Sequence, residues 1–117
     1  MRFLIMVKAT PDTEAGVRTE ERLMADMAAY HETLARAGVL LDASSLQPSA
    51  KGFRIRYTQG KRTTIDGPFA QSRELIAGYT LIQVKSREEA IEWAKRFAAA
   101  HGEGAEGEIE VRQLTEG

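Results

Sequence analysis

The stretch TTIDGPFAQSRELIAGY, residues 63–79, contains the least ordinary local sequence of this 117-residue chain. It joins two segments of β-type composition through an Asp-Gly-Pro-Phe turn, and Arg73 and Glu74 follow shortly afterwards. Asp favours turns because its carboxylate can accept bonds from nearby amides, Gly because it lacks a Cβ, and Pro because it fixes φ. The stretch predicts a stiff connection between two strands, and it leaves open whether Asp66 also takes part in chemistry.

The segments on either side of this turn have the patterns of strands. Within residues 53–65, Phe53, Ile55 and Tyr57 alternate with polar residues, and Gln59-Gly60 supplies a turn, which predicts a hairpin. After the turn, the apolar run AGYTLIQV (77–84) predicts another strand.

Two longer segments have helical periodicity. The first helix is predicted to begin after Thr19 as its N-cap and to end at Gly38 in a left-handed cap. The second begins at the capping box of Ser86 and Glu89 and ends at Gly102. The apolar stripes that would face a core are Leu23, Met27, Tyr30 and Leu34 in the first helix, and Ala90, Ala94, Phe97 and His101 in the second.

The remaining segments complete a single α+β domain over residues 1–117. Residues 2–8 and 109–114 predict strands, VLLDASSLQP (39–48) predicts a strand leading into a loop, and ATPDTEAGVRTE (9–20) predicts a loop. The resulting order predicts two helices on one face of a mainly antiparallel sheet that includes the hairpin. The other face, carrying Phe53, Ile55 and Tyr57, would lack cover, which predicts a homodimer that packs sheet against sheet.

Composition argues against nucleic-acid binding, membrane binding and a metal cofactor. The net charge of −1 provides no global field for nucleic acid or anionic membranes, and the basic residues of 54–62 alternate with apolar ones as in a half-solvated hairpin. The chain has no cysteine and two histidines, so we expect no metal cofactor, although sites that mix histidine and carboxylates remain open. No stretch resembles a signal peptide or a membrane span, which favours a cytoplasmic location.

His31 and the carboxylates are the candidates for chemistry. His31 follows Tyr30 and so lies on the flank of the helical stripe, where it would be either a half-buried structural side chain or an acid–base group. Asp66 would either accept bonds from the amides beyond it, as in an Asx turn, or orient His31. Asp42 and Ser44 follow the second strand and would border the same cleft, although such a polar segment is more often a simple turn.

Two arginines are candidates for binding an anionic substrate. Arg73 follows the turn, where it would pair with Glu74 or with the turn itself. Arg112 lies on the last predicted strand, where it would bind an anion if it points inward and would be an ordinary solvent charge if it points outward.

Taken together, these segments resemble the YCII-related proteins, also called the DGPF-domain family. The resemblance rests on the quoted turn with its Gly78-Tyr79 strand and extends over nearly the whole chain. The other matching segments are MAAYHETLARAGVLLDASSLQP (27–48), SREEAIEWAKRF (86–97) and GEIEVRQL (107–114). At Gln71, Ser72 and Arg73 the chain departs from the Glu, Thr and Lys that relatives more often carry, so one acid is lost and the base is kept as arginine.

The resemblance implies a ferredoxin-like fold that dimerises in the manner of dimeric α+β barrels. It also implies a suspected active-site histidine on the first helix, which is His31 here. The family has no established general reaction, and some members are encoded beside extracytoplasmic-function sigma factors. We therefore expect an enzyme or binding protein for a small polar or anionic metabolite, in which His31 works with Asp66 or Asp42. The alternatives are a regulatory module that binds a sigma factor and a non-catalytic structural dimer.

Overall fold

The computed structural model describes residues 1–16, 21–70, 74–101 and 106–116. The described elements are, in chain order, β1 (Arg2–Lys8), α1 (Pro11–Glu14), α2 (Glu21–Arg36), β2 (Leu40–Ser45), β3 (Phe53–Thr58), β4 (Lys61–Asp66), β5 (Ile76–Gln83), α3 (Arg87–Ala99) and β6 (Ile109–Gln113), with a turn of 3₁₀ helix at Ser49–Lys51 before β3.

The main sheet has four antiparallel strands in the order β2-β5-β1-β6. Together with the crossovers through α2 and α3, this order is that of a ferredoxin-like fold. The two long helices pack on the same face of the sheet, because the residues they bury form one cluster with alternate residues of the strands. The α+β class, the antiparallel sheet and the ferredoxin-like topology are therefore as the sequence predicted.

The core lies between this helical layer and the sheet. Ile5 on β1, Ile82 on β5 and Leu34 on α2 have no exposed surface at all. The phenolic hydroxyl of Tyr30 is satisfied in the core because it donates to the backbone carbonyl of Trp93 at 2.7 Å. The other members of the buried cluster are Phe3, Val39, Val84, Ala90 and Phe97.

Local signals placed the described helix ends well. Gly38 has a φ of 75°, and its amide bonds the carbonyl of Ala35, which gives the predicted left-handed end of α2. The Ser86 hydroxyl accepts from the Glu89 amide at 3.1 Å and so caps α3. The predicted limits at Thr19 and Gly102 lie outside the described residues.

One short helix was missed. The segment predicted as a loop contains α1, whose first residue is Pro11 and whose N-cap is Thr10. Thr13 completes a capping box, since its amide donates to the Thr10 hydroxyl at 3.1 Å and its own hydroxyl accepts from the Thr10 amide at 2.8 Å. The interpretation as a loop was wrong because Pro at the first position, preceded by a capping residue, is itself a helix signal.

The hairpin is also placed differently from the prediction. Among the described residues, β3 and β4 pair only with each other, as a separate two-stranded sheet. The turn residues Gln59 and Gly60 have φ values of 48° and 81°, as a type I′ turn requires. The hairpin does not join β5, because both edges of β5 are occupied by β1 and β2. Phe53, Ile55 and Tyr57 therefore lie on a projecting arm, 65%, 48% and 80% exposed, and not on the face of the main sheet.

Candidate functional site

A cleft of about 910 Å³ opens under the helices at one end of the main sheet. Its floor is the end of the sheet at which β1 and β2 finish and β5 and β6 begin, and its walls come from α2 and from the end of α3. A concave site of this size, lined by apolar side chains with a few polar groups, is typical of small-molecule binding.

His31 lines this cleft from α2, and its ring forms one hydrogen bond to a side chain. Its Nε2 lies 2.9 Å from the Oγ1 of Thr80 on β5, and the direction of this bond follows the tautomer of the ring, since a hydroxyl both donates and accepts. Burial lowers the pKa of His31, an effect that the backbone carbonyl of Met27 partly opposes, so the neutral form is favoured near pH 7.

Thr80 is the functional neighbour that sequence reasoning missed. It is 1% exposed, the one polar side chain among the fully buried ones of the described residues, and its hydroxyl bonds His31. The signal was a threonine inside the apolar run AGYTLIQV, at a position that alternation assigns to the same face as Ile82. A buried hydroxyl needs a hydrogen-bond partner, and the Thr80 hydroxyl finds it in His31 on the flank of α2.

Apolar side chains form most of the remaining wall. Met24 and Leu46 stand at the cleft and remain 58% and 44% exposed, which is unusual for large apolar residues. Met27 and Phe97 border the same space from the two helices. The cleft therefore presents an apolar surface beside the polar pair of His31 and Thr80.

Asp42 and Ser44 point to the other face of the sheet. Asp42 accepts a hydrogen bond from the Tyr79 hydroxyl at 3.0 Å, and this bond together with the carboxylate charge raises the pKa of Tyr79. Ser44 borders the cleft through its backbone, but it is paired with Tyr79 in the sheet register, opposite to the face of Thr80. Its neighbour Ser45 is paired with Gly78 and shares the Thr80 face, so Ser45 is the serine that looks toward the cleft.

Asp66 ends β4, exposed to solvent, and the predicted Asx turn does not form. Gly67 donates its amide to the carbonyl of Gly52 at 3.0 Å, Pro68 has no amide hydrogen, and Phe69 donates to the Ser49 hydroxyl at 3.0 Å. The interpretation as an Asx turn was wrong because the 3₁₀ turn before β3 supplies the acceptors.

Phe69, the last residue of the Asp-Gly-Pro-Phe turn, is only half-buried. Its ring lies under the guanidinium of Arg54, 3.8 Å from Arg54 Cζ to the ring centroid. This stack joins the base of the hairpin to the Asp-Gly-Pro-Phe turn.

Ser49 and Glu14 hold this turn in place. The Glu14 carboxylate accepts from the Ser49 amide at 2.9 Å and from the Ser49 hydroxyl, and these bonds lower the pKa of Glu14. Since the same hydroxyl accepts from Phe69, one serine links α1 to the turn.

Ser49→Ala should therefore destabilise the protein by about 1–2 kcal/mol, because two hydrogen bonds are lost and the Phe69 amide loses its acceptor. Asp66→Ala is the matched control and should stay within about 0.5 kcal/mol, since its exposed carboxylate bonds no group in the described part of the chain. Urea unfolding of both variants measures the difference. Equal losses would contradict this account of the turn.

Arg112, Asp42 and Asp66 are not among the residues that line the cleft. Arg112 is exposed on the sheet face away from the helices and pairs with Glu110 at 2.6 Å, while Arg73 lies outside the described residues. Within the described ranges no hydrogen bond joins His31 to Asp42 or Asp66. The cleft thus brings His31 together with Thr80, and a carboxylate partner for His31 stays a prediction.

The described residues contain no group of three or more His, Asp and Glu side chains placed to hold a metal ion. None of their helices is long and apolar enough to cross a membrane.

The fold and the cleft define a ferredoxin-like α+β protein with a site of small-molecule size beneath its helices. This chain belongs to the YCII-related family, since the family model of the YCII-related domain matches residues 1–116.

A relative and a solved structure accompany this match. An uncharacterized protein of Rhizobium meliloti (strain 1021) is 33% identical over 95 residues, which are 81% of this chain and 75% of that protein. The solved structure is a 5-chloro-2-hydroxyhydroquinone dehydrochlorinase from Burkholderia phenoliruptrix AC1100, in complex with 2,5-dihydroxybenzoquinone. It superposes with a TM-score of 0.52 at 16% identity, covering 100% of this chain and 96% of that one, and this likeness concerns the fold.

Proposed function

We propose that this protein binds a small polar or anionic metabolite in the cleft and that His31 transfers a proton on it. The observation that carries the proposal is the neutral, half-buried imidazole of His31, held at Nε2 by Thr80 in the wall of a cleft of about 910 Å³. The dehydrochlorinase of similar fold, solved with a small quinone, supports a role of this kind for the architecture.

The geometry suggests how the proton would move. In the base form of His31, with Nε2 unprotonated, this nitrogen accepts from the Thr80 hydroxyl, so a ligand that offers its own proton would replace this donor. The released Thr80 hydroxyl could then donate to the oxygen on which negative charge develops. Of the two carboxylates predicted to orient the ring, Asp66 remains the proposed partner, because Asp42 lies on the sheet face opposite His31.

An anionic ligand would also need a cation. Lys8 borders the cleft, but its ammonium pairs with Glu110 at 3.2 Å, and Glu110 also bonds Arg112 on the sheet face away from the helices. Arg112 therefore does not face the cleft, and Arg73 remains the proposed anion-binding residue.

The test of this proposal is a thermal-shift screen of the purified protein against a metabolite library that includes 2,5-dihydroxybenzoquinone. A hit should raise the melting temperature as mass action requires, and the increase should disappear in His31→Gln. A set of hits that the variant binds equally well would overturn the proposed site.

We also propose the homodimer, now with the projecting arm at its interface. The sheet face opposite the helices presents Leu4, Met6 and Leu81, all half-buried in the single chain, and the arm adds Tyr57 and its apolar neighbours. An exposed apolar surface of this kind is typical of an interface. A cytoplasmic location stays a prediction.

Tyr57→Asp should weaken this dimer at least about tenfold, because it places a charge at an 80% exposed aromatic residue of the interface. Thr58→Asp adds the same charge on the opposite face of the hairpin and should leave the dimer intact. Sedimentation equilibrium at micromolar concentration measures both dissociation constants. A folded monomer of the unaltered protein would contradict the dimer and favour the alternative, in which the arm binds a different protein such as a sigma factor.

A further inference from the structure

A second histidine lines the same cleft and was given no role above. His101 follows the C-terminal end of α3, is half-buried, and lines the cleft. Its Nδ1 lies 2.9 Å from the carbonyl of Phe97, one turn earlier. The sequence pattern placed His101 only at the end of the core-facing stripe of this helix.

The Phe97 bond fixes how the imidazole is presented. A carbonyl only accepts, so Nδ1 carries the proton, and Nε2 of the neutral ring is an acceptor. No hydrogen bond to this Nε2 comes from the described residues. The ring cannot rotate freely, since it packs against Phe97 with centroids 5.1 Å apart.

His31 contacts the same aromatic ring from the other helix. Both imidazoles pack against Phe97, His101 with a centroid distance of 5.1 Å and His31 with one of 6.5 Å. Two imidazoles therefore lie near one aromatic side chain in the wall of a single cleft. One ligand with two hydroxyl groups could donate to both Nε2 atoms.

The surface near these nitrogens favours an aromatic body for that ligand. Met24, which is 58% exposed, and Met27 line the cleft, and their thioethers make favourable contacts with aromatic groups. We propose that His101 is a second ligand-binding residue of the cleft and that its ligand is an aromatic ring carrying two hydroxyl groups. This inference rests on the proposed function, because it assumes that the cleft is the ligand site.

The experiment compares phenol with catechol, resorcinol and hydroquinone, using protein labelled with ¹⁵N at histidine. At least one dihydroxybenzene should bind about fivefold more tightly than phenol, the gain of one further hydrogen bond, and should shift the Nε2 resonances of both histidines. The asparagine amide of His101→Asn can still donate to the Phe97 carbonyl. In this variant the affinity for the dihydroxybenzene should fall to the affinity for phenol, and the affinity for phenol should not change.

Each other result decides against the inference. Shifts confined to His31, or a preference that survives in His101→Asn, would show that His101 does not touch the ligand and would leave the proposed function standing. No shift at either ring with any of the four compounds would also overturn the inference, and the metabolite screen then decides the proposed function separately. If the variant fails to fold, the histidine Nε2 shifts of the unaltered protein on addition of the four compounds still test the inference.

Discussion

Gly67→Ala should destabilise this protein by about 3 kcal/mol or more, enough to unfold much of it at moderate temperature. A Cβ at this position would lie 1.8 Å from the backbone oxygen of Ser49 and 2.7 Å from its carbonyl carbon. Since these are backbone atoms of the 3₁₀ turn, no side chain can move aside, and the turn and the base of the hairpin must separate. The measurement is chemical unfolding followed by circular dichroism.

Gly52→Ala is the matched control for this prediction. Its Cβ would meet the same Ser49 oxygen at 3.6 Å, an ordinary contact, and its φ of −111° is open to alanine. It should change the free energy of unfolding by no more than about 1 kcal/mol. A pair of variants with equal stability would show that the close approach of Gly67 to Ser49 does not hold the turn.

His31→Gln should reduce kcat/KM at least about 100-fold for whichever substrate the screen reveals, because a general acid–base group contributes about that much or more. The fold should survive, since His31 is half-buried and a glutamine amide can still bond Thr80. Glu32→Gln, next to it on α2 and exposed, removes another titratable group and should leave the rate unchanged. Steady-state kinetics of the three proteins are the measurement.

The pH profile gives a second check on His31. Burial holds its pKa below the ordinary 6.5, so a base that must be neutral stays active down to that lowered pKa. The rate should therefore fall as the pH drops through a value below 6.5, and this limb should vanish in the variant. If the rate instead falls at a pH above 6.5, or if His31→Gln keeps the pH profile of the unaltered protein, another group transfers the proton.

The sequence by itself determined the features that depend on neighbours a few residues apart. The left-handed end at Gly38, the cap at Ser86 and the turn at Gln59-Gly60 are all as predicted, because each rests on the backbone preference or hydrogen bond of a local group. The alternation and helical stripes likewise placed the four sheet strands and the core, and the family resemblance placed His31 as the candidate.

Only the tertiary structure decided which side chains meet. Thr80 bonds His31 across 49 residues of chain, and Ser49 bonds Phe69 across 20. Such pairs depend on strand register and on the crossing of helix over sheet, and a shift of one residue would turn Thr80 to the other face. The same reason separates Asp42 from the cleft, since its register with Leu81 places it beneath the sheet while His31 stands above.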